Sequence, residues 1–118
     1  MTKITIWHNP RCSKSRAALA LLEERGVEVT QVKYLETPPT DGEIRHVLSL
    51  LGLSAIDLIR RGEARYRELN LSSDTPEDNL VSAMSRNPIL IERPVIIAES
   101  TAVIGRPPEN ALSALSQE

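Results

Sequence analysis

The sequence has few of the residues on which several protein classes depend. Only 3% of its 118 residues are aromatic and none is phenylalanine, so we expect an aliphatic core and no stacking platform for nucleic-acid bases. A formal net charge of −2 gives no general attraction to nucleic acid or to anionic lipid. The chain also lacks a long apolar run and a signal-peptide pattern, so we expect one cytoplasmic domain, residues 1–118, with no membrane contact.

Cysteine is nearly absent, because Cys12 is the only one in the chain. A single cysteine excludes an intramolecular disulfide and a zinc site built from four cysteines. A phosphate-binding P-loop, a Rossmann glycine pattern and a cluster of metal ligands are missing as well, so we expect no bound metal or organic cofactor. If Cys12 performs redox chemistry, a second molecule must supply the other thiol.

The predicted strands and helices alternate in a recognisable order. Four β-branched segments predict strands at 4–7, 27–34, 94–98 and 101–104, the last two joined as a hairpin. A helix is predicted from Ser13 or Lys14 to Arg25, closed by Gly26, and another follows the Pro-rich segment 105–108. The order β-α-β, helices, β-β-α is that of thioredoxin with an insertion.

The insertion, at about 40–86, is predicted to be helical. Thr40 and Glu43 have the spacing of a capping box that begins one helix, and Gly52 is placed to end it. A short helix is predicted after Ser54, and another from Thr75, as cap, to about residue 86. We therefore expect an α/β fold with a thioredoxin-like mixed four-stranded sheet, flanked by helices and carrying an inserted helical region.

Cys12 lies in the segment 8–16, between the first strand and the first helix. Free N–H groups and the dipole of a helix N-terminus stabilise an anion or a thiolate. Ser15 follows Cys12 by three residues, where a thioredoxin-type motif has its second cysteine, and we expect it only to donate a hydrogen bond. Four side chains are expected to add basic character: His8, Arg11, Lys14 and Arg16.

Other cysteine-based sites fit this loop less well. A lone intracellular cysteine is most often a small buried apolar residue, but the polar and basic neighbours of Cys12 favour a functional thiol. Phosphatase-type loops have the form Cys-x5-Arg, and here the sixth residue after Cys12 is Ala18. The Cys-x-x-Ser form is shared with monothiol glutaredoxins, whose loop has Gly-Phe between the two residues.

The loop His8-Asn9-Pro10-x-Cys12-x-x-Ser15-Arg16 resembles the active-site loop of the glutaredoxin-coupled arsenate reductases. Further segments that resemble this family lie at 34–39, 58–60, 87–94 and 105–107. The resemblance implies that Cys12 is the nucleophile that attacks arsenate. It also implies that three arginines hold the oxyanion and the thiol intermediate: Arg60, Arg93 and Arg106. The supporting residues that it implies are His8, Asn9, Ser15 and Pro94.

In this family the activity is the reduction of arsenate to arsenite, with glutathione as co-substrate and glutaredoxin as the protein partner. The resemblance further implies that Pro94 is a cis-proline beside the thiol, so that Arg93 faces Cys12. The same fold also occurs in thiol-sensing regulators, which usually have Cys-x-x-Cys where this chain has Ser15. A thiol-based regulatory or interaction module without arsenate turnover is therefore the alternative.

Overall fold

The computed structural model describes residues 3–116, and these divide into two compact units. The first unit comprises residues 3–37 and 93–116, and the second comprises residues 38–92. The strands are β1 (Lys3–Trp7), β2 (Glu28–Val32), β3 (Val95–Ile97) and β4 (Ala102–Ile104). The helices are α1 (Ser13–Glu24), α2 (Asp41–Leu51), α3 (Ala55–Leu58), α4 (Ala64–Glu68), α5 (Glu77–Arg86) and α6 (Ser113–Ser116).

All four strands belong to one mixed sheet in the first unit, in the order β2-β1-β3-β4. β1 pairs in parallel with β2 and antiparallel with β3, and β3 and β4 form the predicted antiparallel hairpin. The predicted four-stranded mixed sheet is therefore confirmed. β2 is shorter than predicted, because the chain turns at Lys33, whose carbonyl accepts the N–H groups of Glu36 and Thr37, both at 2.9 Å.

The core of the first unit lies between the sheet and the helices α1 and α6. It is aliphatic, as the composition predicts, and comprises Ile4, Ile6, Ala18, Leu22, Ile96, Ala98, Ala111 and Ala114. The last predicted helix begins as a 3-10 turn, Pro108–Leu112, before α6. Small residues on α1 and on this C-terminal segment allow both to pack closely on the sheet.

Helix α1 begins directly after the cysteine, as predicted. Cys12 is its N-cap, and the first intrahelical bond runs from Arg16 N to Cys12 O at 3.0 Å. Gly26, with a φ of 71°, follows the C-cap in the left-handed conformation that glycine adopts without strain. The thiol is therefore fixed at the N-terminus of a three-turn helix.

The second unit is helical, and its first helix begins as predicted. Glu43 N donates to Thr40 Oγ1 at 3.1 Å and Thr40 N donates to Glu43 Oε1 at 2.9 Å, which completes the capping box. The predicted cap of α5 is wrong, because Thr75 Oγ1 instead accepts the N–H of Ser72 at 2.9 Å. Pro76 is the N-cap of α5, and no side chain caps that helix.

Candidate active site

Asn9 fixes the loop that carries the thiol. Its main-chain carbonyl accepts the N–H of Cys12 at 3.0 Å, and its side-chain oxygen accepts the N–H of Arg11 at 3.0 Å. Its own N–H donates to Ser15 Oγ at 3.0 Å. These three hydrogen bonds of Asn9 hold the turn closed. They fix the main chain at Cys12 and therefore the direction in which its side chain points.

His8 and Ser15 form a buried pair beneath this turn. His8 Nδ1 lies 2.7 Å from Ser15 Oγ, and both residues are buried. The main-chain N–H of His8 donates to Val32 O at 2.8 Å, which joins the loop to the end of β2. The expectation that Ser15 only donates is wrong, since its hydroxyl oxygen accepts the N–H of Asn9. Ser15 therefore fastens the first turn of α1 to the loop.

His8 carries less positive charge at neutral pH than an unperturbed histidine would. Burial lowers the pKa of His8, and the positive charges of Lys33 and Arg16 lower it further. A neutral ring has one N–H and one unprotonated nitrogen, so its tautomer decides whether Nδ1 or the Ser15 hydroxyl is the donor in the bond between them. The main cause of the lowered pKa is burial, and the position of His8 at the end of a strand does not indicate burial.

The Cys12 side chain is largely buried, with 9% of its surface exposed. The N–H groups of Ser13, Lys14 and Ser15 precede the first intrahelical bond, and the first turn of α1 contains no acidic residue. A helix N-terminus without carboxylates attracts negative charge. The local field therefore suits both an anionic sulfur and an oxyanion beside it.

Arg106 supplies the cation nearest to the sulfur among the contacts of the described residues. Its Nη2 lies 3.9 Å from Cys12 Sγ, across 94 positions of sequence. Its Nε donates to the carbonyl of Arg93 at 2.8 Å, and its own carbonyl accepts from Asn110 Nδ2 at 2.9 Å. The structure thus brings together Cys12 and Arg106. Asn110 holds the main chain of Arg106 through this hydrogen bond. The sequence analysis missed it, because no sequence motif marks Asn110 for that role.

Pro94 follows Arg93 through a cis peptide bond, as the family resemblance implies. The bond from Arg106 to Pro107 is also cis, which was not predicted. Gly105 N donates to Pro94 O at 2.9 Å, so the end of β4 is bonded to the start of β3. Arg93 is half-buried and contributes its carbonyl to Arg106, while the direction of its side chain toward Cys12 stays a prediction.

Arg60 belongs to the second unit, where two carboxylates hold it. It follows an isolated β-bridge between Ile59 and Ile91 and lies outside any helix. Its Nη1 lies 2.9 Å from Glu63 Oε1 and its Nε 3.5 Å from Glu92 Oε1. The side chain is about one-quarter exposed, so Arg60 is not a solvated arginine on a helix surface. Sequence reasoning missed both partners, although the spacing of three residues to Glu63 was a signal.

No group of three or more His, Cys, Asp or Glu side chains in residues 3–116 is arranged to hold a metal ion. None of the helices in the same range has the length and apolar character needed to cross a membrane.

Comparison with known proteins gives consistent matches over nearly the whole chain. A sequence profile of the ArsC family matches residues 7–114. Uncharacterized protein YfgD of Escherichia coli (strain K12) is 52% identical over 115 residues, covering 95% of this chain and 97% of that protein. An arsenate reductase of Neisseria meningitidis serogroup B is 48% identical over 112 residues, covering 93% of this chain and 96% of that protein.

Among solved structures, an arsenate reductase from Vibrio cholerae superposes with a TM-score of 0.92 at 43% identity. The match covers 96% of this chain and 98% of that one. Together with the strand order, this likeness confirms the thioredoxin-like fold predicted from the sequence.

Proposed function

Because this chain belongs to the ArsC family, we propose that it is an oxidoreductase that reduces arsenate to arsenite through Cys12. The observation that carries the proposal is the distance of 3.9 Å between Arg106 Nη2 and Cys12 Sγ at the N-terminus of α1. The similar proteins from Neisseria meningitidis and Vibrio cholerae are both named arsenate reductases, which further supports this proposal.

The arginines make the approach of two negative groups favourable. Arsenate is an oxyanion at neutral pH, so a thiolate repels it unless cations lie between the two. A guanidinium is always charged and binds two oxygens with one planar group. We propose that Arg106 and Arg93 bind the arsenate oxygens, and that Arg60, on the family resemblance alone, stabilises the thiol intermediate.

The proposed reaction has three balanced steps. The Cys12 thiolate first displaces a hydroxyl group of arsenate, which takes a proton from solvent and leaves as water, so that a sulfur–arsenic(V) bond forms without electron transfer. The thiolate of glutathione then attacks Cys12 Sγ, so that a disulfide forms, the sulfur–arsenic bond breaks and its electron pair reduces arsenic to As(III). Arsenite leaves, and the thiolate of glutaredoxin attacks the glutathione sulfur and releases Cys12 as a thiolate.

The need for outside thiols follows from the composition. Cys12 is the only cysteine, so the chain cannot form an internal disulfide to complete the two-electron reduction. The two electrons that reduce arsenic come from the Cys12 and glutathione thiolates as they form a disulfide, glutaredoxin then restores Cys12, and no bound cofactor is required. We also propose a cytoplasmic location, because glutathione pools are kept reduced there.

A coupled assay tests this function. Purified protein is mixed with arsenate, glutathione, glutaredoxin, glutathione reductase and NADPH, and arsenite is quantified along with NADPH oxidation. We expect sustained turnover that requires both glutathione and glutaredoxin and disappears in Cys12→Ser. Equal turnover with thioredoxin and no glutathione would contradict the proposed reductant, and no arsenite under any condition would favour the alternative of a regulatory thiol module.

A further inference from the structure

We propose that a cleft beside the Cys12 loop is the binding site for glutathione. The cleft, here called the loop cleft, has a volume of about 380 Å³. It is lined by His8, Asn9, Pro10, Arg11, Lys33, Leu35 and Glu36. This volume falls within the range of sites that hold small organic molecules, roughly 300–1,000 Å³. The inference rests on the proposed function, since it assigns a position to the second thiol of that reaction.

Two chain segments with fixed backbones form the walls of the loop cleft. One is the loop after β1, which Asn9 holds closed. The other is the turn after β2, where Glu36 N donates to Lys33 O at 2.9 Å. The bond from His8 N to Val32 O, at 2.8 Å, joins the two segments at the base. The cleft is therefore preformed, which reduces the entropy that a ligand loses on binding.

The charges on the walls of the loop cleft complement those of glutathione. Arg11 and Lys33 are exposed cations, and within the described residues no hydrogen bond or ion pair engages either side chain. Glu36 contributes one carboxylate, and Leu35 contributes an apolar side chain that is 41% exposed. Glutathione carries two carboxylates, one ammonium group and a short, weakly polar middle. Two cations, one anion and one apolar contact match that arrangement.

The loop cleft and Arg106 belong to strands on opposite sides of β1, the strand that leads into the Cys12 loop. In the sheet, β1 lies between β2 and β3, and the Cys12 loop continues from the end of β1. The loop cleft is on the side of β2, because Lys33 directly follows that strand. Arg106 reaches the sulfur from the hairpin of β3 and β4, on the other side.

This division suits the chemistry of the second step. A thiolate that attacks a sulfur approaches opposite to the bond that breaks. If arsenic is held on the Arg106 side of Cys12 Sγ, the attacking glutathione sulfur must arrive from the β2 side, where the loop cleft lies. As the disulfide forms, the electron pair of the sulfur–arsenic bond passes to arsenic, on the side away from the cleft.

Steady-state kinetics with charge-reversed variants test the assignment. Arg11→Glu and Lys33→Glu should each raise the KM for glutathione by about fivefold, the upper end for an exposed ion pair. In Lys33→Glu, which lies outside the Cys12 loop, the KM for arsenate should stay nearly unchanged. Arg25→Glu, which makes the same charge change at the exposed far end of α1, is the matched control and should leave both values unchanged. Replacing glutathione with 2-mercaptoethanol, which carries no charge, should remove the difference between the variants and wild type.

Loss of activity that is equal with both thiols would show a structural effect and would overturn the assignment. A second measurement does not depend on arsenate turnover. Titration of the full chain with S-methylglutathione, followed by amide NMR, should perturb Lys33, Leu35 and Glu36 first. If wild type fails to reduce arsenate but these shifts occur, the proposed function fails and the site stands. Shifts that avoid the loop cleft, or no binding, would reject the site.

Discussion

The side chain of Arg106 is tied to the main chain of Arg93, with Nε donating to the Arg93 carbonyl at 2.8 Å. One end of the guanidinium is thereby anchored on the residue before Pro94, and Nη2 is directed to Cys12 Sγ at 3.9 Å. A planar group held at one nitrogen has little freedom to rotate, so the position of the charge beside the sulfur is set before a substrate arrives.

The first prediction concerns this charge. Arg106→Ala should lower kcat/KM for arsenate roughly 10- to 150-fold, because a hydrogen bond to a charged group contributes about 1.5–3 kcal/mol. Arg106→Lys should recover part of the loss, since it restores the charge but not the planar contact with the Arg93 carbonyl. Arg93→Ala should show a loss of similar size if its side chain also binds the oxyanion.

The measurement is the coupled arsenate assay, with folding checked by circular dichroism. Arg25→Ala, at an exposed position in the same unit, serves as control and should retain full activity. The rate of Cys12 alkylation by iodoacetamide should also fall in Arg106→Ala. If Arg93→Ala and Arg106→Ala both stay folded and keep near-full activity, the anion site lies elsewhere.

The second prediction concerns Gly105, which allows β4 to approach Pro94. A Cβ at position 105 would lie 2.8 Å from Pro94 Cγ and 2.9 Å from Ile96 Cδ1, which is too close for two carbons. Gly105→Ala should therefore displace the backbone before Arg106 and cost about 1–3 kcal/mol of unfolding free energy. Because Arg106 moves with that backbone, kcat/KM should fall even where the protein remains folded.

Gly62→Ala is the matched control, because a Cβ there meets nothing within 4 Å. Urea unfolding and the arsenate assay should both show little change in that variant. Equal stability of Gly105→Ala and wild type would mean that Pro94 and Ile96 move aside without cost, and the proposed link between Gly105 and Arg106 would then be abandoned.

Gly105 also illustrates what the sequence could not predict. Local signals, such as the Thr40 capping box and the turn at Gly26, depend on neighbouring residues and were predicted correctly. The close approach at Gly105 depends on Pro94, 11 positions earlier, whose place against it is set by hairpin pairing. The sequence shows that position 105 is glycine, but it does not show that Pro94 and Ile96 occupy the space that a side chain would need.

The candidate site shows the same division between local and distant contacts. The role of Cys12 as N-cap follows from local sequence, whereas the contact with Arg106 spans 94 positions and was reached only through the family resemblance. Glu92 pairs with Arg60 across 32 positions and was missed. The neutral state of His8 depends on burial, which a residue at the end of a strand does not reveal.

The third prediction separates the structural role of Arg60 from a catalytic one. Arg60→Ala leaves the carboxylates of Glu63 and Glu92 without this cation, and should lower the free energy of unfolding by about 0.5–2 kcal/mol for two partly exposed pairs. High salt should reduce the difference from wild type, because it screens exposed charges. Arg61→Ala, at an exposed neighbour, should have little effect.

A triple variant, Arg60→Ala with Glu63→Gln and Glu92→Gln, also removes the two carboxylate charges that Arg60 contacts and should recover much of the stability in urea unfolding. If Arg60 also stabilises the thiol intermediate, arsenate turnover stays low in that variant. Full recovery of turnover together with stability would restrict Arg60 to a structural role and would remove it from the proposed reaction.

The fourth prediction concerns the pH dependence of stability. The folded protein binds fewer protons than the unfolded chain near pH 6.5, because burial and the charges of Lys33 and Arg16 lower the pKa of His8. The contribution of neutral His8 to stability is therefore fully present above the unfolded pKa. It decreases as the pH falls through about 6.5 toward the lower pKa of the folded state.

Urea unfolding between about pH 7.5 and 5.5 should then show a steeper loss of stability for wild type than for His8→Asn, which cannot titrate in this range. His46→Asn replaces the only other histidine, exposed on α2, and should follow the wild-type curve. Should His8→Asn fail to fold, the nitrogen chemical shifts of the ring in wild type give the same answer, since a lowered pKa makes the ring more neutral than charged at pH 6.5. A mostly doubly protonated ring at that pH would contradict the lowered pKa, and the loop would then carry a positive charge beside the thiol.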